Sequence, residues 1–112
     1  MSNVTFNSTD DNTLSGTIYI DDVAWTIPGT STVIAFVQDT NSKEKIISDI
    51  TILSTDTNND WDNGVIEGVF SDSDSEALAS YDQKLVLVCV RITTQGHTET
   101  FTETVKARKL LD

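Results

Sequence analysis

The run Asp56-Thr57-Asn58-Asn59-Asp60-Trp61-Asp62-Asn63-Gly64-Val65-Ile66-Glu67 carries oxygen side chains at its first, third, fifth and seventh positions and a glutamate at its twelfth. That is the spacing with which a calcium-binding loop surrounds its ion, so Asp56, Asn58, Asp60, Asp62 and Glu67 are the candidate ligands and Ca²⁺ the candidate cofactor. The sixth position, which should be glycine to allow the sharp turn, is Trp61, and the flanks read as strands rather than helices. The same residues also read as an acidic loop between strands, whose Asp and Asn side chains stabilise turns.

Nucleophilic or acid–base catalysis would have to draw on the single cysteine and single histidine, Cys89 and His97. If Gln95-Gly96 is a two-residue turn, Thr94 faces His97 and Cys89 faces Thr102. The two groups then lie about five residue steps, or roughly 16 Å, apart at ~3.3 Å per residue. A Cys–His pair does not work at that distance, so Cys89 reads as a buried core residue and His97 as an exposed residue beside a hairpin tip. Carboxylates of the kind that cleave glycosides are plentiful, but they fall among Ser, Thr and Asn without cleft-lining aromatics. The chain therefore reads as non-enzymatic, with no catalytic residue. Trp25 falls within a strand and reads as core. Trp61, in the loop, fits either burial against the end of the fold or an interface.

The elements that would position these residues are short strands. Thr17–Ile20 and Val23–Ile27 flank Asp21-Asp22, a pair that tolerates a tight turn. Pro28-Gly29-Thr30-Ser31 breaks the pattern before Thr32–Gln38, whose centre Val33–Val37 is apolar on both faces. Lys45–Leu53 sets Ile50 and Ile52 against Thr51, Gly64–Phe70 is a short strand, and Ser71–Leu78 is a capped helical turn with acids at its positive end. Lys84–Ile92 is the strongest strand and belongs in the middle of a sheet. After the Gln95-Gly96 turn, Thr98, Thr100, Thr102 and Thr104 give the last strand, His97–Ala107, one polar, solvent-facing side.

These strands, with turns about every ten residues, predict an all-β fold: a two-sheet, immunoglobulin-like β-sandwich of about seven strands with one short helical turn. Residues 14–107 would form it, after a polar N-terminal arm (1–13) and before a C-terminal tail (108–112). With 112 residues the chain is long enough for one modest core.

A net charge of −11, from 18 acids against 7 bases, argues against nucleic acid and anionic membranes as partners. The imbalance is local as well: residues 46–83 contain acids and no Lys or Arg, while Lys106, Arg108 and Lys109 crowd the C-terminus. No apolar stretch approaches the ~20 residues that span a bilayer, and Met1-Ser2-Asn3 does not open a signal peptide, so synthesis in a cytoplasm is expected. The lone Cys89 allows no intrachain disulfide. The sequons at Asn3 and Asn7 are then chance matches.

The segment Trp25–Asp39, with its apolar strand, Gly turn and following strand ending in Asp, resembles the opening of small β-sandwich domains in bacteriophage tail and baseplate proteins, such as the N-terminal domain of baseplate upper proteins. Gly64–Leu78, Tyr81 and Leu85–Ile92 resemble that family's strand, helical turn and long strand, and Gln95-Gly96 with Phe101–Val105 its closing hairpin. The resemblance covers roughly residues 17–107. It implies a virion structural protein of tail, baseplate, neck or capsid surface, made in the host cytoplasm and docking to other virion proteins or to itself in a symmetric oligomer. Trp61, Lys106, Arg108, Lys109, Leu110 and Leu111 are the candidate interface residues, the last five as a basic and apolar end that engages a neighbour or as a frayed terminus. The alternative reading is a cell-surface carbohydrate- or calcium-binding adhesion module.

Overall fold

Two-residue turns organise the chain, and their backbone explains where the strands reverse. Asp21 and Asp22 both take positive φ (52° and 66°), as do Gln95 and Gly96 (50° and 82°). Paired positive φ values give the turn whose twist matches that of the strands it joins. In the computed structural model, which describes residues 2–7 (as backbone), 12–56, 58–81, 83–107 and 110, these turns close the hairpins β2–β3 and β7–β8.

The strands are β1 (Ser2–Asn7), β2 (Thr13–Ile20), β3 (Val23–Ala24), β4 (Thr32–Asp39), β5 (Lys45–Ile52), β6 (Val65–Val69), β7 (Leu85–Thr94) and β8 (His97–Lys106). They form two four-stranded antiparallel sheets. In the first, β1 lies on one side of β2, while β6 and β3 share the other, pairing with residues 13–17 and 19–20 respectively. The second runs β5-β4-β7-β8. The expected two-sheet sandwich is thus the observed one, with seven strands of five or more residues plus the two-residue β3.

Alternation along the strands decides what is buried. Val86, Val88, Val90 and Ile92 of β7 point inward with Val33, Ala35 and Val37 of β4 and Phe101 and Val105 of β8. From the first sheet they meet Leu14, Ile18 and Ile66. Trp25, just past β3, is half-buried, its ring 5.9 Å from that of Phe101. β6 carries Gly68 against β5, and a Cβ there would lie 2.9 Å from Ile50 Cγ2 and 3.0 Å from Ile52 Cγ1.

The sides of the sandwich are closed by different means. β1 runs beside β8 on one side and β5 beside β6 on the other. β5 slips register twice against β4, so that residues 45–52 face residues 33–38; bulges of this kind twist an edge strand away from foreign strands. Helix α1 (Asp72–Ala79) packs on β5 and puts Leu78 into the core. Ser71 caps it by accepting from the Asp74 amide at 3.1 Å. Between β4 and β5, Asp39 Oδ1 accepts from the amides of Ser42 (3.0 Å) and Asn41 (2.8 Å), which holds its carboxyl below the usual Asp range.

Two expectations about the ends change. The polar arm contains β1, residues 2–7, in continuous register with β2. The tail is anchored rather than frayed at Leu110, which is fully buried with Ala107 in the core. Ala107 also donates its amide to the Lys84 carbonyl at 2.9 Å.

Gly64 is the tightest backbone position. Its φ is +74°, and a Cβ there would sit 2.7 Å from the Ile18 carbonyl oxygen and 2.8 Å from that of Trp25. Gly64→Ala should therefore lower stability by clearly more than about 1 kcal/mol in urea unfolding. Gly96→Ala, at φ +82° but with open space around it, should lose only about 1–2 kcal/mol.

Candidate functional site: an acidic loop and an open sheet face

The loop between β5 and β6 uses its oxygen atoms internally. Asp56 Oδ2 accepts from the Leu53 amide at 2.8 Å, and Asp60 Oδ2 from Asn63 Nδ2 at 2.8 Å. Asn58, at φ +65°, turns its amide nitrogen to Glu67 Oε2 at 2.8 Å. Asp62 is exposed, and its main-chain oxygen accepts from the Thr26 hydroxyl at 2.9 Å. Of the five candidate calcium ligands, Asn58 and Glu67 thus meet each other, while Asp56 and Asp60 hold separate turns and Asp62 points to solvent. Among the described residues no three His, Cys, Asp or Glu side chains come together in a group that could hold a metal ion. The geometry supports the second sequence reading, in which the Asp and Asn side chains build turns.

Asn59 is the centre of this loop. Its Oδ1 accepts from the Glu67 amide (3.2 Å) and from Trp61 Nε1 (3.1 Å), while its Nδ2 donates to the Glu67 carbonyl (3.0 Å). One side-chain amide therefore pairs with β6 as a neighbouring strand would. Two positions earlier along β6 the main chain of Asp60 pairs with Val65, N to O at 3.0 and 2.9 Å. The outward edge of β6 is capped by its own preceding loop, which leaves less of it open to a foreign strand.

Trp61, one of the candidate interface residues, is 6 % exposed and belongs to the core. It starts a 3-10 turn, Trp61–Asn63, and its carbonyl accepts from the Ile27 amide at 2.8 Å. The ring plugs one end of the sandwich, which corrects the interface assignment. Leu110 is corrected in the same way, since the core buries it. Arg108, Lys109 and Leu111 lie outside the described residues, and Lys106 is exposed at the end of β8.

Cys89 pairs across the ladder with Thr102, and Thr94 with His97, the register expected from the two-residue turn. The five intervening steps put Cys89 on the outer face of the sheet and His97 on the other. Burial pushes the Cys89 thiol up, away from the thiolate that a nucleophile requires. His97 is exposed, 3.6 Å from Glu99.

The outer face of the second sheet is an open surface. Thr98, Thr100, Thr102, Thr104 and Lys106 of β8 are all exposed on it, as the alternating threonines predict. Beside them run Leu85, Leu87, Cys89 and Arg91 of β7, then Ile34, Phe36 and Gln38 of β4. Phe36 is only 7 % exposed because two cations cover it, Lys45 Nζ at 4.6 Å and the Arg91 guanidinium at 5.9 Å from the ring centroid. Asp49 ties both down, at 2.6 Å from Lys45 and 3.7 Å from Arg91. Sequence reasoning found the threonine row and missed this cluster. An arginine at an outward position of an otherwise apolar strand was the available signal, whereas the bulges that bring Lys45 and Asp49 opposite Phe36 leave no mark in the residue pattern.

Comparison of the chain with protein-family models and with curated proteins gave no match.

Because the loop is held by Asn59 and no three of its carboxylates converge, adding Ca²⁺ to chelator-treated protein should leave the melting temperature unchanged. Asn59→Ala, which strands the partly buried Trp61 and Glu67 groups, should cost about 2–3 kcal/mol in denaturant unfolding. A calcium-dependent rise in melting temperature would contradict this account of the loop.

Proposed function

We propose that this chain is a non-enzymatic structural protein of a bacteriophage virion, a tail, baseplate, neck or capsid-surface component that docks to a neighbouring virion protein. The observation that carries the reading is the open face of the second sheet. Proteins that work by docking present a patch whose centre is poor in charge and contains aromatic and arginine side chains with a polar rim. On a chain of net charge −11, that face carries threonines, leucines, Ile34 and the Phe36–Arg91 cluster, with Lys45 and Lys106 toward its margins and Asp49 its one acid among the described residues.

Two further features support it. The segments that resemble tail and baseplate sandwiches fold as strand β6, capped helix α1, long strand β7 and closing hairpin β7–β8. The groups that could do chemistry serve structure: Cys89 is buried, His97 is remote from it, and the loop acids hold turns. On this reading the chain acts by surface complementarity alone and needs no cofactor. Its place is the virion, after synthesis in the host cytoplasm.

Mass spectrometry of purified particles from a phage genome that carries this chain should find it as a stoichiometric component. Thr102→Glu, a charge placed at an exposed position midway along the threonine row of β8, should lower its incorporation about tenfold or more while leaving the melting temperature unchanged, since ~1.4 kcal/mol of lost docking energy suffices for that. Absence of the chain from the particles would overturn the proposal.

A further inference from the structure

The five cations among the described residues are gathered on one side. Lys45, Arg91 and Lys106 stand on the outer face of the second sheet. Lys43 lies in the β4–β5 turn and Lys84 immediately before β7, both at its rim, where Asp39 and Glu44 of the same turn offset them. Opposed to this is the loop at one end of the sandwich, where Asp56, Asp60 and Asp62 are exposed and, among the described residues, none is ion-paired with a cation. The loop is also rigidly presented, because Asn59 and the buried Trp61 fix its backbone from within, so little ordering entropy opposes contact with it.

We infer that the open face of the second sheet receives the Asp60–Asp62 loop of a second copy of this chain. The inference rests on the docking reading above and names its occupant. Charge complementarity selects it: the face carries three cations against Asp49, and the same chain supplies a preorganised acidic knob that fits them. In the contact, Arg91, only 3.7 Å from Asp49, is placed to share its guanidinium with an incoming carboxylate. Face and loop are different surfaces, so the contact is head-to-tail, the kind that propagates into a ring or a filament. Four strands at ~4.8 Å spacing and about eight residues at ~3.3 Å give a face of roughly 500 Å². That is below the ~800 Å² per partner of a standard stable interface, so assembly requires concentration. It also requires salt enough to screen the repulsion between whole molecules, as at ~0.15 M, where the Debye length is about 8 Å.

Sedimentation equilibrium of the full chain at ~0.15 M salt should show the weight-average mass rising with concentration, and the rise should disappear near 1 M, where screening reaches about 3 Å. Thr102→Glu should abolish the rise and Thr102→Lys should strengthen it. A folding defect cannot produce that reversal of sign. Asp60→Lys with Asp62→Lys should also abolish the rise even though it lowers the net negative charge, which on its own would ease association. A wild-type chain that stays monomeric at every concentration, or association indifferent to the sign of the charge at residue 102, overturns the second copy as occupant. If the chain stays monomeric yet Thr102→Glu still drops out of virions, the docking reading survives and only this inference falls.

Discussion

A sandwich made from two open sheets must dispose of its edges, because every unpaired N–H and C=O along them invites another chain. Much of what is irregular in this molecule answers that constraint. Asn59 places a side-chain amide where a strand would pair with β6, and Asp60 continues the pairing with its main chain. The bulges of β5 and the helix α1 deal with the neighbouring edge, and β1 lies beside β8 on the far side. The loop that carries Asn59 is held in turn by Trp61 beneath it and by Gly64, whose missing Cβ lets the chain pass against the carbonyls of Ile18 and Trp25. Edge, plug and turn form one unit of structure.

That arrangement also separates the surfaces. With Trp61 withdrawn into the core, the outer face of the second sheet is left as an open surface around Phe36. There Lys45 and Arg91 lie over Phe36, an arrangement worth about 0.5–1 kcal/mol per cation at exposed sites, and they cover a ring that would otherwise be bare. The same two cations give the face its local sign, opposite to that of the whole molecule.

Much of this was written in the residues. The alternation of Val86, Val88, Val90 and Ile92 with Leu85, Leu87 and Cys89 specifies a central strand and its inward side, and Asp21-Asp22 and Gln95-Gly96 specify their turns, because each depends on nearest neighbours alone. Features that depend on distant partners were not legible. Ser2–Asn7 looks like a polar arm until β2 supplies hydrogen bonds to it, and Leu110 looks like a loose end until the core receives it. The acidic loop shows the ambiguity most sharply. Oxygen side chains at alternate positions suit a cation and suit tight turns equally well, and the two are distinguished by where Asp56, Asn58, Asn59 and Asp60 make their hydrogen bonds. Trp61, an obstacle to the calcium reading at the sequence level, proved to be the reason for the loop's conformation.

The β7–β8 hairpin has a meaning in time as well as in space. Its ten ladder pairs close across two turn residues, so its contacts are among the most local that the sheets contain, whereas β4 must wait for β7 across a gap of some forty-five residues. Loop-closure entropy grows with the length of chain enclosed, which makes the hairpin the piece most readily formed while the rest is still open. During that interval one side carries the valines of β7, and the other carries the threonines of β8 beside Leu85, Leu87, Cys89 and Arg91. The four threonines and Arg91 give that outward side polar groups for water to meet even before the first sheet covers the valines.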